Sequence, residues 1–261
     1  MVDYASLVHA TILDSRVRGN DNEMEIPDHL LDKVLLLDNR DLFAQLPDES
    51  VDLVLTDPPY KNYRSNRPVA HQKLKRVAVK QFDLPLFARE SFRVLKPGGH
   101  LYCWCDHLTY PAIRLELEAA GFQYKNCLVW VKNNHGSGDL KGNWAPQHEF
   151  VLFVTKGKGR PLQGKRRPNV FFRRLEDGTT NFIPKVSNYR FDHGTTKPVE
   201  LLRIIIQAAS APGEIVLDPY GGSGSTAEAC ILEGRRFILS EVDADYCRVA
   251  QNRIDELMEK K

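Results

Sequence analysis

The sequence predicts an α/β protein with a largely parallel sheet, and three observations carry that reading. Short apolar runs without polar alternation recur along the chain, as strands buried on both faces require. Helical patterns lie between them and end at Gly or Pro signals. Several of the apolar runs close on an acid beside turn residues, the arrangement that delivers carboxylates to the carboxyl edge of a sheet, where α/β proteins bind ligands. The 261 residues allow one to two domains with a sizeable core, and 42% hydrophobic against 27% charged residues excludes a disordered or collagen-like chain.

Strands are expected over residues 34–37, 51–55, 99–104, 127–131, 149–154, 214–217 and 236–239. Helices are expected over 84–95, stopped by Lys96-Pro97-Gly98-Gly99; over 110–120, stopped by Gly121; over 198–211, stopped by Pro212-Gly213; and over 226–233, stopped by Gly234. No helix separates 127–131 from 149–154, so this pair reads as an antiparallel hairpin with a long connection. Asp38, Asp57, Asp218 and Glu241 then fall at four strand ends along one edge.

The net charge of +2 conceals a division. Residues 61–82 carry seven basic residues and no acid, and residues 156–192 carry ten basic residues and three acids. The other 202 residues sum to −12. Clustered Lys and Arg on an acidic body suit a polyanion partner. The five cysteines include no C-x-x-C pair, so neither a zinc site nor a disulfide framework is expected, and reduced thiols fit a cytosol. No apolar run approaches the roughly 18–20 residues that cross a bilayer, and the first 23 residues contain no signal-peptide core. Residues 1–23 read as a disordered tail, or as translation from an upstream start ahead of Met24.

Two motifs carry chemistry. Residues 214–226 run from strand through the Gly-rich turn Asp218-Pro219-Tyr220-Gly221-Gly222-Ser223-Gly224 into a helix start at Ser225 and Thr226. Glycine permits positive φ and close backbone approach to a ligand, and Glu241 at the next strand end can accept hydrogen bonds from ribose hydroxyls. This turn alone also fits a nicotinamide dinucleotide; it is not a P-loop, because no Lys-Ser or Lys-Thr follows. The second motif, Asp57-Pro58-Pro59-Tyr60, is the more specific. Two prolines fix φ and remove two N–H donors, so the local carbonyls are released from the ladder. An acid and a carbonyl side by side suit an exocyclic amino group, and Tyr60 offers a stacking face.

These residues resemble the amino-methyltransferases of DNA that use S-adenosylmethionine. Asp57 to Tyr60 match the family's D/N/S-P-P-Y/F/W tetrad, and Asp218 to Ser225 resemble its D-P-F-x-G-S-G-T cofactor loop, with Ser225 for Thr. Tetrad first and cofactor loop last is the permuted order of the beta class. Asp38 matches the acid near the cofactor adenine, and residues 192–202 resemble H-P-T-Q-K-P-x-x-L, with Gly194 for Pro and Thr196 for Gln. Trp130-Val131-Lys132 and His148-Glu149 look like the family's hairpin motifs.

The resemblance implies a Rossmann-like S-adenosylmethionine-dependent methyltransferase fold, circularly permuted, with a mostly parallel sheet, an antiparallel hairpin and a small target-recognition insertion. It divides the chain into a core over 24–155, a recognition region over 156–192, and the cofactor-binding remainder over 193–261; the basic loop at 61–82 within the core, with no acid and few large apolar residues, is expected to be mobile until DNA binds. The resemblance further implies that the strand before Asp38 lies beside the strand before Glu241. The expected catalytic residues are Asp57, Pro58, Pro59 and Tyr60. The expected cofactor contacts are Asp38, Asp57, Lys197, Asp218, Tyr220, Gly222, Ser223, Gly224, Ser225, Thr226 and Glu241. Lys61, Arg64, Lys73, Lys75, Arg76, Lys165, Arg166, Arg167, Arg173 and Arg174 are the expected DNA contacts. No metal is expected.

The implied activity is methyl transfer to N6 of adenine in double-stranded DNA after base flipping, with N4 of cytosine as the alternative and a non-catalytic nucleic-acid-binding descendant as the rival of another class. No cysteine follows a proline, which argues against C5-cytosine chemistry. The implied setting is a bacterial or prophage-encoded cytoplasmic enzyme, and nothing in the sequence decides on a homodimer or a restriction partner.

Overall fold

The computed structural model describes residues 25–59, 82–135, 142–174, 179–186 and 196–259. The expectations for residues 1–23, for Tyr60 and for the basic loop through residue 81 lie outside them.

The described strands are β1 (Lys33–Leu36), β2 (Val51–Thr56), β3 (Leu95–Cys105), β4 (Phe122–Val131), β5 (His148–Lys156), β6 (Val170–Arg174), β7 (Thr180–Phe182), β8 (Ile215–Asp218) and β9 (Arg236–Glu241). The helices are α1 (Asn39–Gln45), α2 (Leu84–Val94), α3 (Tyr110–Ala119), α4 (Val199–Ala209), α5 (Ser225–Glu233) and α6 (Ala244–Met258). The strands form one sheet in the order β1-β9-β8-β2-β3-β5-β4-β6-β7. From β1 to β3 all pairings are parallel; β5 is antiparallel to both β3 and β4, and β6 returns parallel to β4. The hairpin expected from residues 127–131 and 149–154 is therefore present.

The order places an early strand beside a late one. Leu36 of β1 pairs with Glu241 of β9, as the resemblance implied. The late strands β8 and β9 fill the gap between β1 and β2, so all four acid-ended strands are neighbours.

Alternation along the strands feeds two cores. Val54 of β2 joins Phe43 of α1, Phe87 of α2 and Leu117 of α3 on one face. Leu53 and Leu55 join Leu202 and Ile206 of α4, Cys230 of α5 and Ile254 of α6 on the other. Each fully buried large side chain contributes roughly 1.5–3 kcal/mol. The helices start where the sequence supplies caps: Asp83 accepts from Leu86 N at the head of α2, and Asp243 from Asp245 N and Tyr246 N at the head of α6.

Two expected strand starts need revision. The strand expected from residue 99 begins at Leu95: a register shift between Val51 and Leu53 lets the Pro97-Gly98 stretch continue in β3. β4 begins at Phe122, five residues before the expected start of that strand. The described part of residues 156–192 packs against and extends the same sheet. Their first part crosses the amino edge of the sheet, where Arg160 holds Glu214 and the carbonyls of Asp52 and Ala209, and their later part adds β6 and β7 to the sheet itself.

Candidate active site

The carboxyl edge gathers Asp38, Glu241, Asp218 and Asp57 at the ends of β1, β9, β8 and β2. Their surroundings give them different work. Asp38 caps α1 and binds Arg40 through both its oxygens. Glu241 accepts from Gly222 N at 2.9 Å and Asp243 N at 2.8 Å, and burial raises its pKa against those hydrogen bonds. Asp218 is buried and accepts from Thr56 Oγ1 (2.8 Å), Thr226 Oγ1 (2.6 Å) and Tyr220 N (3.1 Å). It ties the end of β2 to the Gly-rich turn, and burial pushes its pKa up to about 6.

The turn itself depends on glycine. A Cβ on Gly221 would overlap the Leu239 side chain, and Gly224 adopts φ +79° with Ala250 Cβ 2.9 Å from where its own Cβ would stand. Ser223 Oγ lies 3.2 Å from Thr196 Oγ1. Arg253 of α6 donates to Ser223 O and Ser225 Oγ, each at 3.0 Å, and pairs with Glu228. Tyr220 is held by Asn39, whose Nδ2 donates to its hydroxyl at 2.8 Å, and its ring packs on Phe82 and Phe87. This set fits a nucleoside-bearing cofactor: a backbone that a ligand can approach closely, beside two carboxylates that can accept from hydroxyl or amino hydrogens.

Asp57 faces that turn. It lines a small cavity with Thr56, Trp104, Lys197, Gly222, Ser223 and Ser225. Lys197 Nζ lies 2.5 Å from Asp57 Oδ2 and 3.2 Å from Glu149 Oε2, and 5.2 Å above the Trp104 ring centre. Lys132 Nζ pairs with the other Glu149 oxygen at 3.4 Å.

The model of the N6/N4 DNA methylase family matches residues 51–252. The chain belongs to that family. The methylase is 31% identical over 235 residues to the DNA adenine methyltransferase YhdJ of Escherichia coli strain K12, covering 81% of this chain and 78% of that one. It is 26% identical over 254 residues to the type II methyltransferase M2.DpnII of Streptococcus pneumoniae, covering 89% and 93%. Among solved structures it resembles the M1.HpyAVI–SAM complex, with a TM-score of 0.66, 25% identity, and 85% and 98% of the two chains covered.

Electrostatics in the methylase centre on Lys197. Burial works against its ammonium, but the carboxylates of Asp57 and Glu149 outweigh it and hold the pKa above the ordinary lysine value. Burial would raise Glu149; Lys197 and Lys132 instead hold it below the ordinary carboxylate value.

Sequence reasoning had named Glu149 and Lys132 only as part of hairpin motifs, and had not named Arg253, Asn39 or Trp104. Pairs such as Asp57 with Lys197, 140 positions apart, leave no local signal.

The expected DNA contacts fall in different places. Arg173 and Arg174 end β6, a strand running toward the carboxyl edge. Exposed Lys165, Arg166 and Arg167 lie on the stretch that climbs to it from the amino edge, between Gln163, which donates to Ala208 O, and Asn169, bound by Val129 N. The structure does not bring these three to Asp57. Lys61, Arg64, Lys73, Lys75 and Arg76 lie outside the described residues. A further aromatic on the carboxyl side was unforeseen: Trp144, in the β4–β5 connection, is 94% exposed.

Proposed function

We propose that this chain transfers a methyl group from S-adenosylmethionine to the exocyclic N6 of adenine in duplex DNA. One observation carries the reading: Asp57, just ahead of two prolines, lines the same cavity as the Gly-rich turn Gly222 to Ser225. Acceptor and donor substrates therefore meet at one place. The relative YhdJ, a DNA adenine methyltransferase, and the structural neighbour crystallised with SAM support the choice of base and cofactor.

Asp38, Glu241 and the Gly222-to-Ser225 backbone would hold the nucleoside part of the cofactor. When bound, S-adenosylmethionine supplies an electrophilic methyl group on a sulfonium sulfur that leaves as a neutral thioether. Adenine N6 is a poor nucleophile because its lone pair is delocalised into the ring. Asp57 and the Pro58 carbonyl would accept hydrogen bonds from its two N–H groups, favour a tetrahedral nitrogen and orient its lone pair toward the cofactor side, and the methylated nitrogen would then shed one of those protons to solvent. Pro59 fixes the backbone that presents the Pro58 carbonyl, and Tyr60 stacks on the base once it has left the duplex. Catalysis is then positioning and electrostatics, without a covalent enzyme intermediate.

Asp57→Ala should lower transfer of tritiated methyl groups to DNA by at least about 10²–10³-fold while cofactor binding persists. Activity within a few-fold of wild type refutes the assignment. Nucleoside analysis of the product should give N6-methyladenine; N4-methylcytosine would select the alternative base.

A further inference from the structure

The cluster around Lys197 holds more charge than packing explains. Taking an ammonium out of water is costly unless it is paired, and Lys197 shares its cavity with the apolar Trp104 and Leu202. The chain places two carboxylates and a second lysine there. Asp57, Glu149, Lys197 and Lys132 form a chain of ion pairs, with Lys185 within electrostatic reach of it. An ammonium has three N–H donors, and among the described residues two carboxylates face this one. Glu149 Oε2 is shut off from solvent and lies within ion-pair reach of Lys197, without a well-aligned hydrogen bond.

Resting on the function proposed above, we propose that Lys197 reads the target base. With Asp57 it forms an acceptor–donor pair matched to the exocyclic amino group and the ring nitrogen beside it, and Glu149 is the positioning residue that keeps the ammonium there. The logic lies in the Watson–Crick edge, through which flipped bases are read. Adenine and cytosine both place an amino donor next to a ring-nitrogen acceptor. An amino group bound to Asp57 brings its neighbouring ring nitrogen next to Lys197, because Nζ is 2.5 Å from that same carboxylate. Guanine and thymine present a carbonyl and a ring N–H in the corresponding places, so both contacts become mismatched. The pair thus selects amino bases as a class, and adenine against cytosine is left to pocket shape. This assignment takes Lys197 away from the cofactor, where the sequence resemblance had placed it.

The test uses the full chain and a duplex carrying its target site, mapped by sequencing modified DNA from expressing cells. The target adenine is replaced by 1-deazaadenine, which keeps the amino group and has C–H in place of the ring nitrogen; 3-deazacytosine serves if the product is methylcytosine. Wild type should lose about tenfold or more in kcat/KM on the analogue. Lys197→Met should be slow on the natural base and treat base and analogue alike. Glu149→Gln should lower kcat and shrink the base-to-analogue ratio, with Kd for S-adenosylmethionine by calorimetry within about twofold of wild type. The doubly neutral Lys197→Met/Glu149→Gln keeps the comparison available if a single variant folds poorly, and it too should ignore the ring nitrogen. Wild-type discrimination retained by Lys197→Met overturns the proposal, as does a Lys197→Met defect confined to cofactor Kd. A wild-type protein that methylates neither adenine nor cytosine overturns the underlying function, and this assignment falls with it.

Discussion

Asp218 stands at a strand end where a ligand-facing acid was expected, yet its oxygens are engaged by Thr56, Thr226 and the Tyr220 amide. Burial lifts its pKa from the ordinary 3.8 to about 6. The sign follows from proton binding. Below the ordinary value both folded and unfolded chains hold the proton. Between there and about pH 6 the unfolded chain releases it first, so stability falls as pH rises. Above pH 6 the accumulated penalty is about 3 kcal/mol. Asp218→Asn should remove this slope: urea unfolding between pH 4 and 7.5 should show the difference between wild type and variant moving in the variant's favour as pH rises. A flat difference would mean that the hydrogen bonds compensate the buried charge in full. At this scale the sequence was legible where chemistry was local. Two prolines after an acid marked Asp57 at once. The ion pairs that make Asp57 part of a cluster come from distant positions and no spacing announces them.

Helix α6 illustrates what an element can hide. The strands with unbroken apolar runs and the helices with Gly or Pro stops were readable, but α1 and α6 were not. α1 is seven residues, too few to establish a helical period. α6 buries Arg253 alongside Ala250 and Ile254, so a charged residue interrupts the apolar stripe that periodicity seeks. β6 and β7 are short and mix basic, polar and aromatic residues, a pattern shared with loops. Arg253 is buried because it braces Ser223 O, Ser225 Oγ and Glu228 at the Gly-rich turn. Arg253→Met should destabilise the fold by about 3–5 kcal/mol, because Glu228 is left without its partner. Arg253→Met/Glu228→Gln should recover a large part of that in urea unfolding, yet still bind S-adenosylmethionine more weakly than wild type, since the turn has lost its donor. Full recovery of cofactor affinity in the double variant would show that Arg253 acts on stability alone.

Across the whole molecule, strand order gathers the four acid-ended strands along one edge. β8 and β9 enter the sheet between β1 and β2, which is why residues near both chain ends meet at one crevice. The order of motifs made this legible. The role of Arg160 was not, because it counts as a surface charge in the sequence but is a brace at the amino edge. The basic residues should therefore contribute unequally to DNA binding. Arg173 and Arg174 end a strand that runs toward the carboxyl edge, and replacing both with Ala should flatten the plot of log K against log salt by up to about 2 units, since each released phosphate contact is worth about 0.9. Replacing Lys165, Arg166 and Arg167, which enter from the far edge, should change the slope less. Trp144 offers a contrast of mechanism. It is 94% exposed on the β4–β5 connection, at the end where Cys105 of β3 pairs with Phe150 of β5. Stacking on a base is worth about 1–3 kcal/mol and releases no counterion. Trp144→Ala should thus weaken binding about tenfold at every salt concentration while leaving the slope unchanged. A slope change for Trp144→Ala, or none for the Arg173 and Arg174 pair, would place the duplex on a different surface.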